Sequence, residues 1–327
     1  MQALKLVPTI HYFDTFKAFA EEFKLGKGDI LVTNQWMYDP YVKPHGVDVP
    51  VIFQEKYGKG EPSDEMMDAM KKDMDAYDYE RIIAFGGGTI VDICKVLALD
   101  VPDKVIKLYT GEVAPKKLKK LVVVPTTCGT GSEVTNVAIA ELKALHTKKG
   151  IAVEETFADS AVLIPESLQG LPDYVFATSS VDALIHAIES YLSPKASPLT
   201  EMYSLKAIEM IMAAYKEIMA RGGNSAENRK DLLKDFLFAS NYAGIAFGNA
   251  GCAAVHALSY SIGAAFHVPH GEANFQFFTE TFKMYMKKDP DGKISNANKI
   301  FADILGCDLK DVYPELDKFL GNFLEKK

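Results

Sequence analysis

Residues 79–99 read YERIIAFGGGTIVDICKVLAL, with three glycines set directly between a short β-rich run and a helical pattern. A chain that turns from strand to helix on bare glycines leaves its backbone amides approachable. The helix N-terminus adds partial positive charge, so such a turn can receive a phosphate. The same turn can also be a tight connection without a ligand, and it is not the GxGxxG fingerprint. Around it lie further near-continuous apolar runs, GDILVTN (28–34), VPVIFQEK (49–56) and KLVVVPTT (120–127), separated by helical patterns at 64–77 and 89–99. Apolar strands alternating with helices predict a parallel sheet covered on both faces.

A second loop, PTTCGTGSEVT (125–135), follows the last of these strands and offers Thr126, Thr127, Thr130 and Ser132 with two glycines. Alone it reads as a polar turn with a good helix cap. Two such loops, each at the carboxyl end of a parallel strand, stand where open α/β sheets bind nucleotides. After Ile164 strand-like runs become scarce. The spacing predicts helices over 179–193, with a Ser at its start as cap, and over 200–220, stopped by Gly222-Gly223. It predicts a loop over 286–296. The expected organisation is an α/β domain (1–165) followed by an all-helical domain (166–327).

Asp182 and His186 are four residues apart on a predicted helix and so share one face. His256 falls in another apolar helical stretch, and His270 at a turn marked by Pro269 and Gly271. One Asp and three His can hold a divalent ion and leave a position open for a substrate oxygen. Spacing alone does not bring the two segments together, and each histidine taken singly reads first as a hydrogen-bonded core side chain.

Composition narrows the remaining classes. The 327 residues carry 36 basic against 44 acidic groups, net −8, without the basic face a nucleic-acid partner would need. No apolar run approaches the ~20 residues that span a bilayer, and the N-terminus lacks the pattern of a secretory signal. Four scattered cysteines read as reduced thiols, which with these features points to the cytoplasm.

At the level of motifs the chain resembles the iron-containing (group III) alcohol dehydrogenases. GGGTIVDICK is similar to their GGGSxxDxAK loop and PTTCGTGSEVT to their PTTxGTGSExT loop. SSVDALIHAIESYLS is similar to their metal helix DxLxHAxExY, and GIAF…AAVHALSYSIGAAFHVPHGEANFQFF to GxAF…xVHxxxHxLGxxFxxPHGxxNxxLLP. The four occur in family order over residues 86–278. The resemblance implies a Rossmann-like parallel-sheet domain and an all-helical metal domain, an architecture shared with the dehydroquinate synthases. It implies NAD as cofactor, Fe(II) or alternatively Zn(II) as metal, a small-molecule alcohol or aldehyde substrate lying between the domains, and a homodimer.

Residue by residue, Asp182, His186, His256 and His270 match the metal ligands. Gly86, Gly87, Gly88 and Asp92 match the pyrophosphate loop and its helix, and Thr126, Thr127 and Ser132 the second cofactor loop. Lys149 stands where the family has a lysine near the cofactor ribose, although as one of 36 basic residues it reads equally as solvated surface. The expected reaction is reversible hydride transfer between NAD and a primary alcohol, with 4-hydroxybutyrate and succinate semialdehyde as the expected pair. The rival readings are another alcohol, diol or polyol, a dehydroquinate synthase-like lyase, and a non-catalytic nucleotide-binding protein. The chain departs from the family pattern in three places. Tyr260 replaces the second histidine of VHxxxH, so that Tyr260 or His267 is the expected proton-relay group. His267 reads equally as pocket lining. Asn34 ends the first strand where an Asp against the ribose is common, leaving NAD against NADP weakly specified. The chain ends at Lys327, where family members usually continue, so a shortened helical domain is expected.

Overall fold

The computed structural model describes residues 2–101, 103–266 and 268–326, the side chains of 263–265 aside. Two compact units emerge. One comprises Leu6–Thr127 and Ser132–Leu168; the other comprises the described residues of Met1–Lys5, Cys128–Gly131 and Gln169–Lys327.

In the first unit the chain runs β1 (Thr9–Tyr12), α1 (Phe16–Glu22), β2 (Gly28–Thr33), α2 (Gln35–Tyr41), β3 (Val51–Phe53), α3 (Asp64–Met74), β4 (Tyr79–Gly86) and α4 (Gly88–Leu97). It continues through α5 (Ile106–Thr110), β5 (Lys120–Pro125), β6 (Val137–Leu142), β7 (Thr147–Ala152) and β8 (Ser160–Leu163). Six strands form a parallel sheet in the order β1-β8-β5-β4-β2-β3. Because strand side chains alternate, the apolar runs feed two cores. Ile30, Val32, Ile82, Ala84, Leu121 and Val123 face one, with Met67, Met70 and Ile93. Leu31, Ile83, Phe85, Val122 and Val124 face the other, with Phe16 and Phe19. Burying each large apolar side chain contributes about 1.5–3 kcal/mol.

The expected strand over 49–56 shrinks to three residues before a 3₁₀ turn. An antiparallel hairpin of β6 and β7 also forms. Its polar run TKKG, exposed on both faces, carries little apolar alternation for a reader to see.

The second unit is helical: α6 (Asp173–Leu192), α7 (Pro198–Ala220), α8 (Ala226–Arg229), α9 (Leu233–Ala250), α10 (Ala254–Phe266), α11 (His270–Lys288), α12 (Lys293–Leu305) and α13 (Val312–Leu320). Helix α6 begins six residues before the expected Ser179, so no serine caps it. Its first turn is held instead by Arg229, which is buried and paired with Asp173 at 2.5 Å and which also donates to the Leu171 carbonyl. Ser197 caps α7 by accepting from the Thr200 amide, and Gly222 and Gly223 follow its end at φ +105° and +106°. The expected loop over 286–296 shortens to the four residues between α11 and α12. Helix α6 packs against α7, α9 and α11.

Candidate active site

Helices α6, α10 and α11 converge on Asp182. One ligand atom from each of Asp182, His186, His256 and His270 lies within 4.8 Å of all the others. The Asp182 carboxylate is 3.7 Å from His186 Nδ1, 3.7 Å from His256 Nε2 and 3.8 Å from His270 Nε2. Asp182, His186 and His256 are buried, and His270 is partly open. The spacing argument therefore brings one helical pair together, and the fold supplies the two distant histidines.

The rings are anchored from behind. His256 Nδ1 donates to Glu189 at 2.6 Å. His186 Nδ1 donates to the Gly129 carbonyl at 3.3 Å, and the ring stacks on Phe247 at 4.2 Å. The Asn274 amide donates to Asp182 at 2.7 Å, while its oxygen accepts from Ser259 at 2.5 Å. Such bonds fix ring orientation and tautomer and turn the remaining nitrogen forward.

Glu189, Asn274 and Ser259 were not singled out in the sequence. Their pairing is long-range, and the one available signal was that Glu189 and Asn274 fall on the fixed Glu and Asn of the matched motifs. Glu189 is fully buried, and its oxygens also accept from the amides of Ala253 and Val255 at the start of α10. One carboxylate thus both caps the helix and aims its histidine.

The electrostatics follow. Burial raises the Asp182 carboxyl, but the imidazoles of His186, His270 and His256 and the Asn274 amide outweigh it and hold the group below the usual carboxylate range. Burial pushes His186 down to about 4 against the pull of Asp182. For His256 burial works against the charged ring, yet bonds with Cys252 and Glu189 carry it up to about 10.

The residues fit a divalent ion. Nε2 of His256 is buried without a hydrogen-bond partner, and it faces the carboxylate together with two other imidazoles. Three nitrogens and one oxygen would suit iron or zinc, with His256 offering its Nε2 as a neutral imidazole. Glu189→Gln keeps the shape but removes the charge behind His256. Metal affinity, read by competition with a chelator, is expected to fall about 10–100-fold; an unchanged affinity would contradict the role.

In the first unit, Gly86 ends β4, Gly87 precedes α4 with extended backbone, and Gly88 begins the helix. The first intrahelical bond runs from Val91 N to Gly87 O, so the amides of the preceding turn have no helical partner. A Cβ on Gly86 would lie 2.4 Å from Ile90, and one on Gly87 3.4 Å from Thr127. Thr126 donates its amide to the Gly86 carbonyl at 3.1 Å, which ties the second loop to the first.

Asp92 and Ser132 meet each other: the Ser132 hydroxyl donates to Asp92 at 2.8 Å and accepts from Lys95 at 2.6 Å, and Asp92 also accepts from the Ile139 amide. Lys95 is fully buried, and burial lowers it to about 8 against the pull of Asp92 and Glu133. This brace was missed in the sequence, where Lys95 appears only as the closing residue of the GGGTIVDICK motif and carries no role. Lys149 is exposed on β7, opposite Ala140. Tyr260 lies one turn beyond His256, half-exposed, with its ring 5.9 Å from that of His270. His267 lies outside the described residues.

A parallel sheet with a triglycine strand-to-helix turn is a fold that can receive a nucleotide, and a buried Asp-His₃ group on helices can hold a divalent ion. The chain belongs to the iron-containing alcohol dehydrogenase family. Residues 13–165 match the family profile described as "Iron-containing alcohol dehydrogenase", and residues 176–325 match "Fe-containing alcohol dehydrogenase family, C-terminal". The chain is 52% identical over 327 residues to the 4-hydroxybutyrate dehydrogenase of Clostridium kluyveri, covering 100% of itself and 87% of that protein. It is 31% identical over 278 residues to the sulfoacetaldehyde reductase of Bilophila wadsworthia, covering 81% and 69%.

Solved crystal structures share the fold. The sulfoacetaldehyde reductase from Bifidobacterium kashiwanohense in complex with NAD+ aligns at TM-score 0.84 and 22% identity over 98% of this chain and 86% of that one. A 1,3-propanediol oxidoreductase aligns at 0.84 and 23% over 98% and 87%. The fold and the oxidoreductase family expected from the motifs are thereby established.

Proposed function

We propose that this protein is an NAD-dependent, Fe(II)-dependent 4-hydroxybutyrate dehydrogenase. The observation that carries the metal is the single buried carboxylate ringed by three imidazoles. Identity of 52% over the whole chain to the Clostridium kluyveri enzyme carries the substrate, 4-hydroxybutyrate with succinate semialdehyde. Asp182, His186, His256 and His270 would hold the ion, iron in the first place and zinc as the alternative. A divalent ion there supplies Lewis-acid chemistry, easing loss of the alcohol proton near neutral pH and stabilising negative charge on the carbonyl oxygen in reverse. The nicotinamide accepts and returns the hydride.

The chain's own groups do the rest. Gly86, Gly87 and Gly88 offer the α4 amides to the pyrophosphate, with Thr126 and Thr127 beside them. Asp92 and Ser132 serve the cofactor through their brace with Lys95, which fixes the second loop on α4. Tyr260, one turn beyond His256 on α10, is the expected group to pass the alcohol proton outward, and His267 is the other expected relay. Lys149 stays a ribose contact only by its match to the family motif. The enzyme would work in the cytoplasm, in keeping with four free cysteines, and as a homodimer.

The test is a substrate panel. Iron-loaded protein with NAD is expected to show a kcat/KM for 4-hydroxybutyrate at least about tenfold above ethanol, 1-propanol or 1,3-propanediol, the discrimination expected from about 1.4 kcal/mol. Turnover confined to the simple alcohols would overturn the substrate while leaving the chemistry standing.

A further inference from the structure

Asn34 occupies the end of β2, the strand beside β4 and its glycine turn. Val32 pairs with Ala84, so Asn34 stands level with Gly86. In doubly wound dinucleotide folds an acidic residue at this neighbouring strand end takes the ribose 2′-hydroxyl, and Asn carries no charge for that purpose. The structure puts a carboxylate there by another route. Strand β3 pairs with β2 from the other side, with Thr33 opposite Phe53, and the 3₁₀ turn that follows delivers Glu55. Glu55 Oε2 accepts from Asn34 Nδ2 at 2.8 Å, and Oε1 accepts from the Gln35 amide at 2.7 Å. Asn34 is itself buried, and its amide is also 3.3 Å from Gln54 Oε1. The carboxylate is therefore fixed in position, while each oxygen keeps accepting capacity. Among the neighbouring cations, Lys56 lies over the Phe53 ring at 5.0 Å and Lys43 pairs with Asp39 at 3.7 Å.

We propose that Glu55, held by Asn34 and the Gln35 amide, selects NAD over NADP. Its carboxylate accepts the ribose 2′-hydroxyl and repels a 2′-phosphate. The inference rests on the reading that the β4–α4 turn takes the pyrophosphate.

The test titrates NAD+ and NADP+ separately into wild-type protein and Glu55→Gln by calorimetry. The fluorescence of Trp36, the chain's one tryptophan, which is exposed beside Gln35, serves as a second signal. Wild type is expected to bind NAD+ at least about tenfold tighter than NADP+, the worth of one charge-assisted hydrogen bond. In Glu55→Gln the NADP+ affinity should rise and the NAD+ affinity fall, bringing the two Kd values within about threefold. An unchanged Kd ratio in a variant that binds NAD+ overturns the role of Glu55 alone. Wild type that binds neither nucleotide overturns the phosphate-turn reading beneath it. If Glu55→Gln does not fold, salt replaces the variant: raising ionic strength from about 0.02 to about 0.5 M should shrink the wild-type ratio by screening the repulsion. A ratio independent of salt would overturn the proposal.

Discussion

Asp182→Asn is expected to purify as a folded protein, to retain NAD binding, and to lose turnover by about a thousandfold or more. Asp182 is the one anion in the group and the common neighbour of all three imidazoles. Asn keeps the volume and can still face the Asn274 amide through its oxygen. It removes the charge that offsets a divalent cation in a buried setting. Several kcal/mol of transition-state stabilisation depend on that cation, and each 1.36 kcal/mol is a factor of ten in rate. Iron content after loading should fall well below one equivalent per chain. Full iron content with near-wild-type turnover would contradict the ligand assignment. Loss of NAD binding alongside would show that the substitution disturbed more than the metal group.

Gly271→Val should act through packing. A Cβ at this position would lie 2.1 Å from the Thr178 carbonyl oxygen and 3.2 Å from Asp182 Cβ. Backbone of α6 cannot yield as the end of a flexible side chain would, so α11 must move away. The cost expected is about 3 kcal/mol or more, against total stabilities of about 5–15 kcal/mol. The displaced helix carries His270 with it, so a lower urea midpoint and a loss of bound iron should appear together. An unchanged midpoint with full iron would contradict the close approach of α6 and α11. The glycine in the PHG motif is thus explained by contact with the helix that carries Asp182.

The legible part of the molecule was local. The apolar runs at 79–86 and 120–125 become the central strands β4 and β5, and the triglycine becomes the turn into α4. Asp182 and His186 could be paired on one helix face from their spacing alone, whereas His256 and His270 joined them only through the family motif and the fold. What stayed hidden was long-range or polar. Glu189 meets the start of α10 across more than sixty residues, and no period in the sequence announces that contact. Lys95 is a lone cation in an apolar helical run, and no spacing shows that β6 and the second loop fold over it and offer Ser132 and the Val137 carbonyl. Glu55 looked like part of a strand, and only the early end of β3 turns it toward Asn34. Helix α6 starts before Ser179 because Arg229, fifty-six residues away, secures Asp173.

One metal ion at the Asp182 group is expected to support NAD-linked oxidation. The most direct measurement strips the protein with chelator, titrates Fe(II) back under anaerobic conditions, and follows NADH formation from 4-hydroxybutyrate at each step. No turnover is expected in the stripped protein, then a linear rise with added iron and a plateau at one equivalent per chain. Turnover that persists without metal, or that is indifferent to iron while NAD binds normally, would contradict it.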